Sequence, residues 1–285
     1  SGWAQDYDVL LKYISKEEVF ELERIAASGV KWMREKCLSK GYEYTNLQSG
    51  VLKCFLSNNV EKVKQDVITQ NQLFNQNEKF IEKENLSEYV RSEKYTCGVL
   101  RQESFQFHPL NFMKALAKDC IEVGASIFEH SKFIKYSKSN RKIESKISTG
   151  NRIINIKSDK LVFATGGYGG KEIKDLKNYW LPIKTFIGVT KPLGDELQSV
   201  VKKPLGFSDN RRAGNYYRIL PENRLSWGRG ISAVGNFTSL HLKRAISKEI
   251  NYFFPELEDI EIDYVWSGNM AYASHYMPYV GKTKI

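Results

Sequence analysis

The chain has 285 residues, 41% of them hydrophobic and 13% aromatic, enough for a large buried core in one big domain or two modest ones. Its net charge of +10 is carried by lysines mixed with glutamates along the chain, which argues for a solvated surface and against a nucleic-acid-binding stripe. No segment reaches the ~20 apolar residues needed to span a bilayer. Cys37, Cys54, Cys97 and Cys120 form no C-x-x-C pair, as reduced cytoplasmic thiols would not, and His108, His130, His241 and His275 lack metal-ligand spacing, so no metal is expected.

At the start, Ser1-Gly2-Trp3-Ala4-Gln5-Asp6 offers neither a positive leader nor an apolar signal core, and no initiator methionine, as expected of a piece of a longer chain. Ser15 and Glu18 have capping-box spacing, and Val19, Leu22, Ile25, Ala26, Val30 and Met33 then recur at helical intervals, which predicts a helix from Lys16 to Leu38. Ser49 to Leu56 reads as a strand and Asn58 to Asn77 as a solvated helix, while Glu78 to Gln102 shows no clear period. His108-Pro109-Leu110 opens a second helix that Gly124 is placed to end. A strand over Ser126 to Tyr136 follows, then two more, Ile143 to Ser148 and Arg152 to Ile156, joined by the hairpin turn Thr149-Gly150-Asn151. The apolar run Leu161 to Ala164 predicts a short strand ending in glycines. Beyond Pro182, strands and tight turns dominate, notably Asn215 to Leu220 and Arg224 to Gly228 around Pro221-Glu222-Asn223. A helix over Leu240 to Phe254 stops before Pro255, and Tyr264 to Val280 returns to strand and turn.

Three motifs bear on chemistry. Thr165-Gly166-Gly167-Tyr168-Gly169-Gly170 follows an apolar run, which suits either close approach of backbone to a ligand or a plain tight turn. Gly228-x-Gly230-x-x-Ala233 imitates a dinucleotide fingerprint, but Val234-Gly235-Asn236-Phe237 interrupts where a helix should open, so a strand end with a loop is the better account. On the hairpin, Tyr216 and Arg218 share a face by the period-two rule, with Arg224 on the partner strand. An arginine fork beside a phenol suits a substrate carboxylate, and it equally suits a surface arginine lying over an aromatic ring. His108 reads as a cap or packing residue, and no Ser/His/Asp set, P-loop or carboxylate pair supports hydrolysis.

In order along the chain come Phe107-His108-Pro109-Leu110-Asn111, Ala164-Thr165-Gly166-Gly167, Thr190-Lys191-Pro192-Leu193, Asn215-Tyr216-Tyr217-Arg218, Arg224-Leu225-Ser226-Trp227-Gly228, Phe254-Pro255-Glu256-Leu257, Trp266-Ser267-Gly268 and Pro278-Tyr279-Val280-Gly281. This series resembles the D-amino-acid-oxidase-like family of FAD-dependent oxidoreductases, especially its bacterial glutamylputrescine oxidoreductase-like branch. The family's opening strand, G-x-G-x-x-G and helix are not in this sequence, nor is its later glycine-rich FAD segment. Where the family carries Ser-Gly-Arg-Asn-Gly-Gly, this chain has Trp3 and Ala4 in place of the arginine and asparagine.

The resemblance implies an α/β (α+β) fold in which a Rossmann-like FAD-binding domain (1–48, 103–180 and 263–285) is interleaved with an antiparallel-sheet substrate domain (49–102 and 181–262). It implies FAD as cofactor and oxidation of the C–N bond of a small amine or amino acid, by hydride transfer and then hydrolysis of the imine. The alternative is a catalytically inactive relative that keeps only the fold. By the same resemblance, Gly2, Phe133, Ile134, Thr165, Gly166, Gly167 and Gly281 lie near the cofactor, and Tyr216, Arg218 and Arg224 near the substrate.

Overall fold

The computed structural model describes residues 3–140, 142–169, 173, 176, 179–233, 237–257 and 259–282. Gly2, Gly170 and the Val234-Gly235-Asn236 interruption lie outside them. The chain divides into two compact units, Ser1–Phe112 with Lys184–Gly268, and Met113–Ile183 with Asn269–Ile285.

In the first unit, α1 (Tyr7–Leu10) precedes α2 (Lys16–Leu38), whose capping box forms as the sequence predicts. Glu18 N–H donates to Ser15 Oγ at 3.2 Å, and Ser15 N–H donates to Glu18 Oε2 at 2.8 Å. Strand β1 (Gln48–Phe55) leads to α3 (Val60–Phe74), β2 (Lys79–Glu82), α4 (Lys83–Leu86) and β3 (Cys97–Gln106). The α3 helix departs from the expected solvated character. Val63 and Val67, four residues apart, form one apolar stripe buried against Cys97 and Val99, with Phe55, Val60 and Phe80 at its edge. α5 (Pro109–Glu122) starts in this unit, and His108 acts as its cap, Nδ1 accepting from Asn111 N–H at 3.3 Å.

After β7 (Leu181–Thr190) come α6 (Glu196–Val200), β8 (Gly206–Asp209), β9 (Tyr216–Leu220), β10 (Arg224–Ser232), α7 (Ser239–Phe253) and β11 (Ile262–Tyr272). The eight-stranded sheet runs β11-β7-β10-β9-β8-β1-β3-β2. Among the registered pairs of this sheet, β1 with β8 is parallel and the others antiparallel. The hairpin β9–β10 forms where expected, Arg218 opposite Ser226 and Tyr216 opposite Gly228. The segment Gly228-x-Gly230 lies inside β10, with a register shift between Arg229 and Ile231, so it is strand and not a dinucleotide fingerprint.

One face of this sheet holds the larger core cluster. Leu52, Cys54, Phe207, Tyr217, Leu225 and Trp227 pack with Ile246, Ile250 and Phe253 of α7 and with Phe254 and Leu257 beyond it. Phe207, Tyr217 and Trp227 stack in sequence, with centroid separations of 5.0 Å and 4.5 Å and interplanar angles of 4° and 11°. Each such pair adds about 1 kcal/mol to the burial of its rings.

The second unit contains β4 (Ser131–Ser139), β5 (Lys142–Thr149) and β6 (Arg152–Ser158), an antiparallel sheet in that order. β4 starts later than the sequence suggests, and the Thr149-Gly150-Asn151 hairpin forms as expected. At the sheet's margin, β6 leaves Ile153, Ile154 and Ile156 exposed. Leu161 to Ala164 is not a strand, contrary to expectation: the alternation persists, with Leu161 and Phe163 turned partly inward, but no described residue pairs with its backbone. An apolar run becomes a strand only when a neighbour takes up its N–H and C=O groups.

Candidate functional site

Of the residues singled out for the nucleotide, Gly2 lies outside the described part, and the others all belong to the second unit. Phe133, on β4, meets Phe163 edge-on at 5.2 Å and tilts against Tyr136 at 6.3 Å, while half-buried Ile134 sits at a register shift in the strand. Thr165 is exposed and precedes the single 3-10 turn Gly166–Tyr168. Gly166 has φ +53°, with nothing within 4 Å of where a Cβ would stand. Gly167 is closed in: a Cβ there would lie 2.6–2.8 Å from the backbone of Asn269 and Met270. The Tyr168 hydroxyl accepts from Asn269 N–H at 3.1 Å, fastening this turn to β11. Gly281 is exposed in the tail, with open space around it.

Dinucleotide phosphates are held by backbone N–H groups where a glycine turn opens a helix. The open side of Gly166 fits close approach of a flavin nucleotide. Gly167 uses its missing side chain on its own chain instead, and no described glycine turn opens an α-helix, so no described residue is assigned to the pyrophosphate. Trp3, which stands where the family has an arginine, donates its indole N–H to Leu22 O of α2 at 2.8 Å and so ties the chain's start to that helix.

The three substrate-side candidates lie on the sheet face opposite the aromatic core. Cross-strand partners share a face, so one row runs Lys53 (β1), Ser208 (β8), Tyr216 (β9), Gly228 (β10), Ile187 (β7). The next runs Val51, Gly206, then Arg218, Ser226, Val189, with Gly206 one residue pair on along the β8–β9 ladder, and Arg224 lies one step further along β10. The ring of Tyr216 crosses directly over Gly228, where any Cβ would collide with it, and its hydroxyl lies 2.9 Å from Thr185 Oγ1. Tyr216 is 42% exposed, and the contact with Thr185 fixes its phenol in direction.

The two arginines differ in how their forks are used. Arg224 donates to Asp263 Oδ2 at 2.7 Å, Glu222 Oε2 at 3.1 Å and Thr190 O at 3.1 Å, and these carboxylates raise its pKa further above the ordinary arginine value. Its guanidinium is engaged in holding strands together. Arg218 is half-buried, donates only to Phe107 O at 3.0 Å, and has no acidic partner among the described residues. Burial alone lowers its pKa, and the rest of its five-donor fork has no partner among the described residues. Opposite it, the Ser226 hydroxyl is likewise unpartnered among the described residues.

Lys53 and Ser208 were not singled out from sequence. The alternation of Val51, Lys53 and Phe55 against buried Leu52 and Cys54 marks the outer face, but only the β1–β8 pairing places Lys53 in the row of Tyr216. Among the described residues no helix is long and apolar enough to cross a membrane, and no group of His, Cys, Asp and Glu is placed to hold a metal ion.

Residues 2–284 match the model of the FAD dependent oxidoreductase family named DAO. The chain belongs to this family of FAD-binding enzymes. It is similar to the probable oxidoreductase OrdL of Haemophilus influenzae, 29% identical over 212 residues, covering 73% of this chain and 47% of that protein. It is also similar to the gamma-glutamylputrescine oxidoreductase of Escherichia coli, 26% identical over 196 residues, covering 68% and 44%. The chain thus spans about half the length of the curated relatives it matches. Among solved structures, glycine oxidase from Geobacillus kaustophilus superposes with a TM-score of 0.71 at 15% identity, over 92% of this chain and 70% of that one. L-amino acid deaminase from Proteus vulgaris gives 0.70 at 13% identity, over 91% and 73%. These likenesses establish the fold, a mixed α/β architecture built on a large mixed sheet.

Proposed function

We propose that this chain is the body of a flavin enzyme that oxidises the C–N bond of an amine carrying a carboxylate, with Arg218 as the carboxylate anchor. The observation that carries this is the half-buried guanidinium without an acidic partner among the described residues, on a sheet face where Tyr216 and Ser226 also point polar atoms. A desolvated cation with a free fork gains most from a planar anion, because two charge-assisted hydrogen bonds replace water it has already lost. The Tyr216 phenol, held by Thr185, offers a further hydrogen bond beside it, and Ile187 and Val189 give an apolar floor that limits water. Such a face holds the carbon bearing the amine in one orientation. Bound FAD supplies the acceptor for the hydride equivalent, and water then converts the released imine to a carbonyl and ammonia or a smaller amine. On the nucleotide side the backbone at Gly166, like that at Gly281, is open to close approach.

We also propose the functional division 1–48, 103–180 and 263–285 on the FAD side, and 49–102 and 181–262 on the substrate side. A reducing cytoplasm suits the chain's four free cysteines, three of them buried. The test is an absorbance spectrum of the purified protein supplied with FAD: a flavin band retained through desalting and bleached by amino acids under exclusion of air is expected. A protein that keeps its fold yet retains no flavin fits an inactive relative and ends the proposal.

A further inference from the structure

Over the whole chain lysines and glutamates are mixed, but the three-stranded sheet of the second unit departs from that average. Between Ser131 and Lys160 the sequence carries nine Lys or Arg against two acids, Glu144 and Asp159, a surplus of seven within a chain of net charge +10. Cross-strand pairing sorts these residues by face. Lys132 with Ser148 and Ile153, Lys135 with Lys146 and Asn155, and Ser137 with Glu144 and Lys157 form three successive rows on one face, and Lys142 follows on β5. The register shift at Ile134 keeps Phe133 and Tyr136 together on the other face, where both meet Phe163. The lysine face is open: Lys132, Lys135, Lys142, Lys146 and Lys157 are all exposed, and Ile153 among them is 66% exposed.

The two acids are already taken, Glu144 by Lys157 at 3.1 Å and Asp159 by Lys142. Lys135 and Lys146 have no partner among the described residues, and they stand directly opposite each other on adjacent strands. Like charges so placed cost stability that a neutral side chain would not, and an anion brought from outside relieves the repulsion. The kind of anion follows from what the rows contain and lack. They hold no aromatic ring to stack a nucleic-acid base and no arginine whose fork would grip a single phosphate. Five point charges spread over three strands, with an isoleucine among them, match a broad, flat array of anionic headgroups above an apolar layer. We infer that this face docks peripherally on an anionic membrane, its lysines among the lipid phosphates and Ile153 at the headgroup boundary.

Co-sedimentation of the purified chain with lipid vesicles tests this. Vesicles of about one third phosphatidylglycerol in phosphatidylcholine should bind it about tenfold better than phosphatidylcholine alone, and the difference should vanish as salt rises from about 50 mM to about 500 mM. Lys135→Glu combined with Lys146→Glu should weaken binding about tenfold or more, and Ile153→Ser about threefold. Lys135→Glu alone sets a carboxylate opposite Lys146, so its melting temperature should not fall while its binding does, which separates lost docking from lost fold. Lys202→Glu combined with Lys203→Glu makes the same change in net charge at exposed positions of the first unit and should leave binding within about twofold. Equal losses in the two pairs would reduce the effect to bulk charge and overturn the inference. The absence of any preference for anionic vesicles overturns it too, as does tighter binding to a uridine homopolymer than to the vesicles.

Discussion

On the inner face of β9 and β10, Tyr217 and Trp227 are sealed into an aromatic stack, while one residue away on the outer face Tyr216, Arg218 and Ser226 keep polar atoms unburied or unpaired. The same two strands therefore carry stability on one side and, in the function proposed above, recognition on the other. Period-two alternation makes this division possible, since adjacent residues share a backbone but not a neighbourhood. Substitutions on the two faces should separate accordingly: inner ones lower stability, and outer ones change what binds.

The largest expected effect tests the inner face. Trp227→Ala removes a fully buried ring stacked on Tyr217 and should cost about 3–5 kcal/mol of unfolding free energy, measured by urea denaturation. A loss below about 1 kcal/mol would mean the stack is not the centre of the core. Next, on the outer face, Arg218→Ala should leave the melting temperature nearly unchanged and, if the protein oxidises a carboxylate-bearing amine, lower kcat/KM about a hundredfold, chiefly through KM. An unchanged KM would remove the anchor role. The smallest effect sharpens the contrast between the two arginines: Arg224→Met should lower the melting temperature by breaking the tie to Asp263 and Thr190, with substrate KM untouched. A raised KM with an unchanged melting temperature would exchange the roles of Arg224 and Arg218.

Elements governed by local chemistry could be read from sequence. The α2 start follows from Ser15 and Glu18, the β9–β10 hairpin from Pro221-Glu222-Asn223, and the α7 end from Pro255. Elements that depend on distant partners could not. β1 lies beside β8 across roughly half the chain, and nothing within either strand specifies that neighbour. Leu161 to Ala164 shows the converse, a good strand pattern for which no described segment provides a ladder. The site divides in the same way: Tyr216 and Arg218 were visible because two residues on one strand share a face, whereas Lys53 joins them only through two successive cross-strand pairings. That Arg224 is already occupied was likewise hidden, because Asp263 lies 39 residues away.

The isoleucines of β6 have a consequence for the protein outside its chemistry. A marginal strand with an apolar side chain at three of seven positions and a row of peptide groups unmatched among the described residues is a template on which another copy can lay down a strand. The charges of Arg152 and Lys157 at its two ends are the gatekeepers, joined by the repulsion of a molecule with net charge +10. Salt weakens that repulsion and leaves the apolar attraction intact, so sheet-to-sheet growth gains as ionic strength rises.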